Sequence, residues 1–115
     1  MNWRSIRLEL GSTGQFPSGS VSRAYLLRLP LDEADAIDKS AFLDNPSKAV
    51  VRRYWSTEPD QHGLIVEAGK DWGFRCDGKP ERVLRLEGKP LRLGLKVSMV
   101  EPDGTVLPFR IASVR

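Results

Sequence analysis

The chain has 115 residues, of which 40% are hydrophobic and 29% charged, with a formal net charge of +3. This composition supports one ordinary hydrophobic core and lies outside the range of disordered chains. One histidine and one cysteine exclude an intramolecular disulfide and the common zinc-binding spacings. We expect a single domain over residues 1–115 that uses no metal and no cofactor.

No apolar run approaches the roughly 18 residues of a membrane span. Residues 1–7 alternate in polarity where a secretory signal would be continuously apolar. With a single cysteine, this pattern predicts a cytoplasmic protein in a reducing compartment, without a membrane partner. The basic residues are scattered, so no Lys-rich or Arg-rich tail points directly to nucleic acid.

Short alternating runs in the first half predict strands separated by one helix. Ile6, Leu8 and Leu10 alternate with polar residues, and residues 11–20 form a loop rich in Gly and Ser. A second strand is expected over 23–30, ended by a proline that lacks the backbone donor. Asp38 is a suitable N-cap for a short helix through residue 43.

The next predicted strands follow at short intervals. Residues 49–55 form one strand, with Val51, Arg53 and Trp55 on one face. Residues 64–68 and 72–76 form a hairpin around the three-residue loop 69–71. A turn over 77–80 and a strand over 83–87 complete this part of the chain.

The last third contains the longest alternation, from Leu91 through Leu93 and Leu95 to Met99. These side chains and Phe109 are predicted to share one core on adjacent strands, joined by the turn at 102–104. On this interpretation Leu95→Ala would leave a cavity and cost about 2–5 kcal/mol. Gly94 is expected to mark a bulge or a sharp bend.

The spacing of these elements decides the fold class. Strands recur at roughly the 8–12 residues typical of sandwiches and barrels, and no strand–helix–strand rhythm is present. We therefore predict an all-β, mostly antiparallel domain. Its strands follow a meander in a small β-barrel or strongly curved sheet, and the short helix caps one end.

Three segments, residues 25–32 (YLLRLPLD), 51–55 (VRRYW) and 108–111 (PFRI), carry a resemblance to known sequences. Together they resemble a family of small uncharacterised bacterial proteins. The resemblance implies a stand-alone bacterial domain and assigns no catalytic or binding residue.

Two residues could carry covalent or acid–base chemistry. His62 is expected in a turn two residues after Asp60, and histidine titrates near neutral pH. The spacing of this pair seldom gives catalytic geometry, and no nucleophile motif accompanies it. Cys76 shares a strand face with Trp72 and Phe74, which predicts a buried thiol.

The most informative group is Arg52-Arg53-Tyr54-Trp55, with further basic residues expected on adjacent strands. The larger indole predicts that Trp55 points into the core, with the Arg53 guanidinium reaching water at a strand end. Arg52 and Tyr54 are then the exposed pair. The predicted binding residues are Arg28, Arg52, Tyr54, His62 and Arg75. The alternative interpretation is that Trp55, Trp72 and Phe74 fill the core while the arginines only keep the outer face soluble.

Three functions remain open at this stage. The first is a non-enzymatic module that binds a protein or a small ligand, or that forms a homo-oligomer. The second is a barrel that binds single-stranded RNA or DNA through arginines and stacked aromatic rings. The third, an enzyme that uses His62, has the least support.

Overall fold

The computed structural model describes residues 2–76, 78–86 and 88–115, within which eight antiparallel strands close into a barrel. Each strand pairs with the next in sequence, and the last pairs with the first. The strands are β1 (Asn2–Leu10), β2 (Ser20–Leu31), β3 (Val50–Trp55), β4 (Glu58–Ala68), β5 (Asp71–Cys76), β6 (Arg82–Arg85), β7 (Lys96–Val100) and β8 (Val106–Val114). One helix, α1 (Lys39–Asp44), and a 3-10 turn (Pro46–Lys48) connect β2 to β3.

The barrel interior is filled by apolar side chains from alternate strand positions. Eight strands enclose a space just wide enough for side chains to meet at the axis. The ring of Tyr25 lies 5.3 Å from the rings of both Phe74 and Phe109, measured between centroids. The core therefore contains an aromatic cluster surrounded by buried aliphatic side chains, including Ile6, Leu8, Leu27, Leu84, Met99 and Ile111.

One end of the barrel, here called the closed end, is covered by α1 and by residues 88–95. The Asp38 carboxylate accepts a hydrogen bond from the Ala41 amide at 3.1 Å and caps the helix. Phe42 then packs its ring against Trp72, with centroids 4.9 Å apart. Across the same end, the Leu91 amide donates to the Asp35 carbonyl at 2.8 Å.

The opposite end, here called the open end, is formed by the β1–β2 loop, the β3–β4 turn and the β7–β8 turn. Trp55 lies there, half-buried, on the last residue of β3. Its ring is 6.4 Å from both Tyr25 and Phe109, so it covers the aromatic cluster from this side.

The structure confirms the predicted fold class, including the meander of antiparallel strands and the short helix with Asp38 at its N-cap. Trp72, Phe74 and Cys76 share the inward face of β5, as their spacing predicted. The loop at residues 11–19 and the turn between β7 and β8 also lie where the sequence places them. Gly104 of that turn has a positive φ of 89°.

The predicted end of the second strand at Pro30 is wrong by one residue. Pro30 pairs with Trp3 of β1, and β2 continues to Leu31. The pairing of β2 with β3 ends at Leu27, so Pro30 has a strand partner on one side only. A missing amide donor costs no ladder bond on the unpaired side, and proline is tolerated there.

The predicted burial of Leu93 and Leu95 is also wrong, because their side chains are 69% and 42% exposed. The bend expected at Gly94 is present, with a φ of +86°. The Gly94 amide and the Leu95 carbonyl both bond to Ile111, so two residues oppose one and the alternation is broken. Regular pairing of β7 begins only at Lys96.

Other boundaries also differ from the prediction, including the start of β2 at Ser20 instead of residue 23. Asp71 pairs with Ala68, so the hairpin loop contains two residues instead of three, with φ of +64° at Gly69. β6 ends at Arg85, and Glu87 of the predicted strand lies outside the described residues, as does Asp77 of the predicted turn.

In the described part of the chain, no helix is long and apolar enough to span a membrane.

Candidate functional site

Four of the five residues predicted for binding lie on three neighbouring strands, and all five face the outside of the barrel. Arg28 is on β2, Arg52 and Tyr54 on β3, and His62 on β4. In the register, Arg52 stands opposite Leu26 on one side and His62 on the other. Directly opposite residues in antiparallel strands share a face, so these side chains form a continuous surface.

On this face, Arg52 is exposed and Tyr54 is half-buried. The Arg52 guanidinium carbon lies 5.3 Å from the centre of the Tyr54 ring, a cation–π distance. Arg28 donates to the Ser5 hydroxyl at 3.3 Å. Among the described residues neither arginine has a carboxylate partner, so both positive charges are uncompensated locally.

Arg75, the fifth predicted residue, has a different electrostatic environment. It is exposed on β5, and its Nε donates to a Glu81 carboxylate oxygen at 2.8 Å. Its register partner on β4 is Leu64. The ion pair compensates the charge of Arg75, which therefore contributes less attraction for an anion than Arg28 or Arg52.

His62 lies in a strand, so the turn predicted for it is wrong. β4 begins at Glu58, and the alternation places Asp60 and His62 on the outer face of the same strand. Cys76 faces inward and is buried. Within the described ranges no three His, Cys, Asp or Glu side chains are grouped to hold a metal ion. His62 and the buried Cys76 both line one depression of about 540 Å³.

The sequence did not indicate that Lys48 and Trp3 belong to the same face. Ala49 and Val51 are buried whereas Lys48, Val50 and Arg52 are exposed, so the alternation of β3 extends back to Lys48. The Lys48 Nζ lies 5.0 Å from the centre of the Trp3 ring. This pair depends on the 3-10 turn, which no sequence pattern specified.

The outer stripe, as we name it, consists of Trp3, Arg28, Lys48, Arg52 and Tyr54. It contains three cations without a carboxylate partner among the described residues, and a cation lies over each of its two rings. Beside the stripe, Val50 pairs with Leu64 between β3 and β4, and these residues are 41% and 46% exposed. This face of the barrel thus combines positive charge, aromatic rings and exposed aliphatic surface.

The predicted placement of Arg53 in water is wrong, because its side chain is only 3% exposed. Its NH1 donates to Glu58 at 2.9 Å and its Nε to the Tyr25 hydroxyl at 3.3 Å. Its guanidinium also lies 4.2 Å from the Trp55 ring centre. Burial lowers the pKa of Arg53, but Tyr25 and Glu58 more than offset this effect, and the pKa remains above its ordinary value.

Tyr25 is the titrating group most affected by this arrangement. Burial raises the pKa of its hydroxyl to about 12, and the negative charge of Glu101 acts in the same direction. Arg82 and Arg53 partly oppose the rise. Arg82 is held by Glu101 at 3.0 Å, and both side chains are 14% exposed. The open end therefore contains two nearly buried arginines, each with a glutamate.

Trp55 points inward as predicted, but it is half-buried rather than buried. It borders two depressions of the open end, with volumes of about 240 and 470 Å³. Arg23 lies beside the smaller depression, and its guanidinium carbon is 4.2 Å from the Phe16 ring centre. The sequence gave no signal for this group because its members come from separate segments.

We compared the chain with known protein families, with characterised proteins and with solved structures, and none of the three comparisons found a match. The resemblance to a bacterial family therefore stays a prediction, and the function is argued from the residues above.

Proposed function

We propose that the protein is a non-enzymatic binding module that holds single-stranded RNA or DNA on the outer stripe. The observation that carries the proposal is the set of three uncompensated cations, Arg28, Lys48 and Arg52, beside the rings of Trp3 and Tyr54. Non-sequence-specific binders of single strands combine these two elements on a curved sheet.

The two elements contribute differently to affinity. The cations attract phosphates and release their counterions, which makes binding strongly dependent on salt. The aromatic rings offer flat surfaces to the bases, and each stack contributes roughly 1–3 kcal/mol. Trp3 and Tyr54 are half-buried and a cation lies over each ring, so a base that stacks there takes the place of Lys48 or Arg52, which then contacts a phosphate.

The dimensions of the stripe suit a short extended strand. From Val50 to Tyr54 the chain advances four positions in extended backbone, about 13 Å at roughly 3.3 Å per residue, and Lys48 continues the stripe beyond Val50. Asp60 adds a negative charge beside His62 at one edge of the face. Glu81 compensates Arg75 on β5. The nucleic-acid strand is therefore expected to follow β3 and to remain away from β5.

The direct test is fluorescence anisotropy with a labelled oligothymidylate of about 12 nucleotides, within the known range of roughly 4–16 per small barrel. Arg52→Ala is compared with Arg85→Ala, which removes an exposed arginine from β6, several strands away around the barrel. We expect Arg52→Ala to weaken binding severalfold at low salt and Arg85→Ala to leave it nearly unchanged.

Salt dependence sharpens this test. Three phosphate contacts on a single strand predict a slope of about −2 in a plot of log affinity against log salt. Arg52→Ala should reduce the slope by about 0.7, whereas Tyr54→Ala should lower affinity without changing the slope. Equal losses for Arg52→Ala and Arg85→Ala would show a diffuse charge effect and contradict the assignment of the stripe.

A protein partner, including a second copy of this chain, is the second candidate. The exposed aliphatic pair Val50 and Leu64 favours it, because apolar surface of this kind is common at the centre of interfaces. Size-exclusion chromatography over a range of concentrations tests self-association. A larger species that is lost in Leu64→Ser, with no oligonucleotide affinity in the wild type, would select this alternative.

We also infer a cytoplasmic location and a bacterial source for the protein. A reducing compartment suits a chain with one cysteine whose thiol is buried between strands. The bacterial source follows only from the resemblance of residues 25–32, 51–55 and 108–111. Fractionation of cells that express the chain with its natural N-terminus checks the location, and recovery from an exported fraction would contradict it.

A further inference from the structure

The open end of the barrel has a second group of aromatic and basic residues, separate from the outer stripe. Trp55 lies at its centre, between two depressions of about 240 and 470 Å³. Leu107 borders both depressions as well, and Leu10 lines the smaller one. The smaller depression is therefore lined by apolar side chains beside the half-buried indole, and also by the polar residues Thr13, Gln15 and Thr57.

Arg23 gives the smaller depression its charge. Its guanidinium carbon lies 4.2 Å from the Phe16 ring centre and 6.0 Å from that of Trp55. Its one side-chain hydrogen bond to a described residue is from NH1 to the Ser20 hydroxyl, at 3.2 Å. Arg23 has no carboxylate partner in the described part of the chain, so its charge and most of its donors remain available.

The neighbouring arginines differ from Arg23 in this respect. Arg53 is paired with Glu58 at 2.9 Å, and Arg82 is paired with Glu101 at 3.0 Å. The larger depression thus has balanced charge at its walls. An anion that enters the open end is attracted to Arg23 and not to the paired arginines.

We propose that the open end binds a small planar organic anion, an aromatic carboxylate. Its ring lies against Trp55 and Leu107, and its carboxylate accepts hydrogen bonds from the Arg23 guanidinium. A planar guanidinium matches a carboxylate with two parallel hydrogen bonds. The mouths of β-barrels commonly hold ligands that combine an apolar body with a few polar anchors. This site shares no residue with the outer stripe.

The volume limits the size of the ligand. A depression of about 240 Å³ is below the roughly 300–1,000 Å³ of sites for drug-sized molecules, so one or two fused rings are expected. The filled interior prevents deeper entry, because Tyr25 and Phe109 lie directly beneath Trp55. The ligand is therefore held at the surface of the core rather than inside the barrel.

The test is a titration of the ¹⁵N-labelled protein with 2-naphthoate, followed through the indole N–H signals of its three tryptophans. We expect the Trp55 signal, assigned with Trp55→Phe, to shift and saturate while the signals of Trp3 and Trp72 stay in place. The neutral 2-naphthamide has the same rings and controls for the charge. Equal shifts with both compounds would contradict the proposed role of Arg23.

Two variants locate the carboxylate. Arg23→Gln should weaken 2-naphthoate at least about tenfold, because it removes the positive charge and the two parallel donors of the guanidinium. Arg52→Gln on the outer stripe is the matched control and should bind 2-naphthoate normally. For the oligothymidylate we expect the reverse, with weaker binding by Arg52→Gln and normal binding by Arg23→Gln. Failure of this proposal is therefore distinguishable from failure of the proposed function.

A third variant guards against a folding defect in Arg23→Gln. Thr57 lines the smaller depression and is exposed, so Thr57→Glu adds a negative charge without removing a buried contact. We expect it to weaken 2-naphthoate with little change in Tm. Naphthoate affinity that is unchanged in both Arg23→Gln and Thr57→Glu would overturn the proposal.

Discussion

The two ends of the barrel are closed by different kinds of interaction. At the closed end a capped helix places Phe42 on Trp72, and both side chains are buried. At the open end Trp55 remains half-buried, and the nearly buried Arg53 bonds to Tyr25 and Glu58. One end buries apolar surface, whereas the other holds polar groups in fixed positions near solvent.

This difference separates stability from binding. Apolar burial at the closed end lowers the free energy of the folded state and requires no partner. The ion pairs of the open end contribute little net stability, since desolvation of buried charges offsets much of their attraction. Instead, these ion pairs hold the side chains around Trp55 in defined positions. We therefore expect substitutions at the closed end to affect mainly stability, and those at the open end to affect mainly ligand affinity and pH dependence.

The largest expected effect is at the closed end. Phe42→Ala removes a buried ring from its contact with Trp72 and should lower the free energy of unfolding by about 3–5 kcal/mol. Denaturant titration measures this loss. The neighbouring Leu43 is 59% exposed on the same helix, so Leu43→Ala should change stability by no more than about 0.5 kcal/mol. Similar losses for the two variants would show that α1 does not close the barrel.

The second effect is the alkaline sensitivity of the open end. The folded protein holds the pKa of Tyr25 at about 12, above the ordinary tyrosine value of about 10. The folded state therefore binds this proton more tightly than the unfolded state. The resulting stabilisation is complete below about pH 10 and is lost as pH rises through about 12. The pKa difference corresponds to about 3 kcal/mol.

Ultraviolet absorbance measures this titration directly. The chain has two tyrosines, so in Tyr54→Phe the remaining phenolate signal belongs to Tyr25 and should have a midpoint near pH 12. In parallel, Tyr25→Phe should lose less stability than the wild type between pH 10 and 12. A midpoint near pH 10 in folded Tyr54→Phe would show that the Tyr25 hydroxyl is not buried.

The smallest effect concerns the cap of α1. Asp38→Ala removes the hydrogen bond to the Ala41 amide and should destabilise the protein by about 1 kcal/mol. Asp44→Ala removes a carboxylate from the last turn of the same helix and should leave stability unchanged or raise it by a few tenths of a kcal/mol. Thermal unfolding compares the two variants. Equal Tm values would mean that the helix end frays without a cost to the closed end.

Local pattern predicted most of the fold. Alternation at residues 6–10 and 72–76 assigned inward and outward faces correctly, because a strand with one buried face leaves a period of two in the sequence. The same rule failed at Leu93 and Leu95, where Gly94 breaks the alternation. A glycine within an alternating apolar run is compatible with either a strand or a bend. Here the hydrogen bonds with Ile111 determine that a bend forms.

The candidate sites were less predictable. Alternation separated Arg52 and Tyr54 from Arg53 and Trp55, so the exposed pair of the outer stripe could be predicted. It did not show that a fully charged Arg53 is buried, because that burial depends on Glu58 across the β3–β4 turn and on Tyr25 from β2. A buried cation requires partners, and partners from other strands are invisible to local pattern.

The sequence by itself determined the class of the protein. Its period of two, its turn residues and its single capped helix specify antiparallel strands, since each is a local property of the backbone. Closure of the barrel, the pairing of Lys48 with Trp3 and the meeting of Arg23, Phe16 and Trp55 were decided by the tertiary structure. These contacts join distant segments, and their geometry depends on strand register and on how the barrel closes.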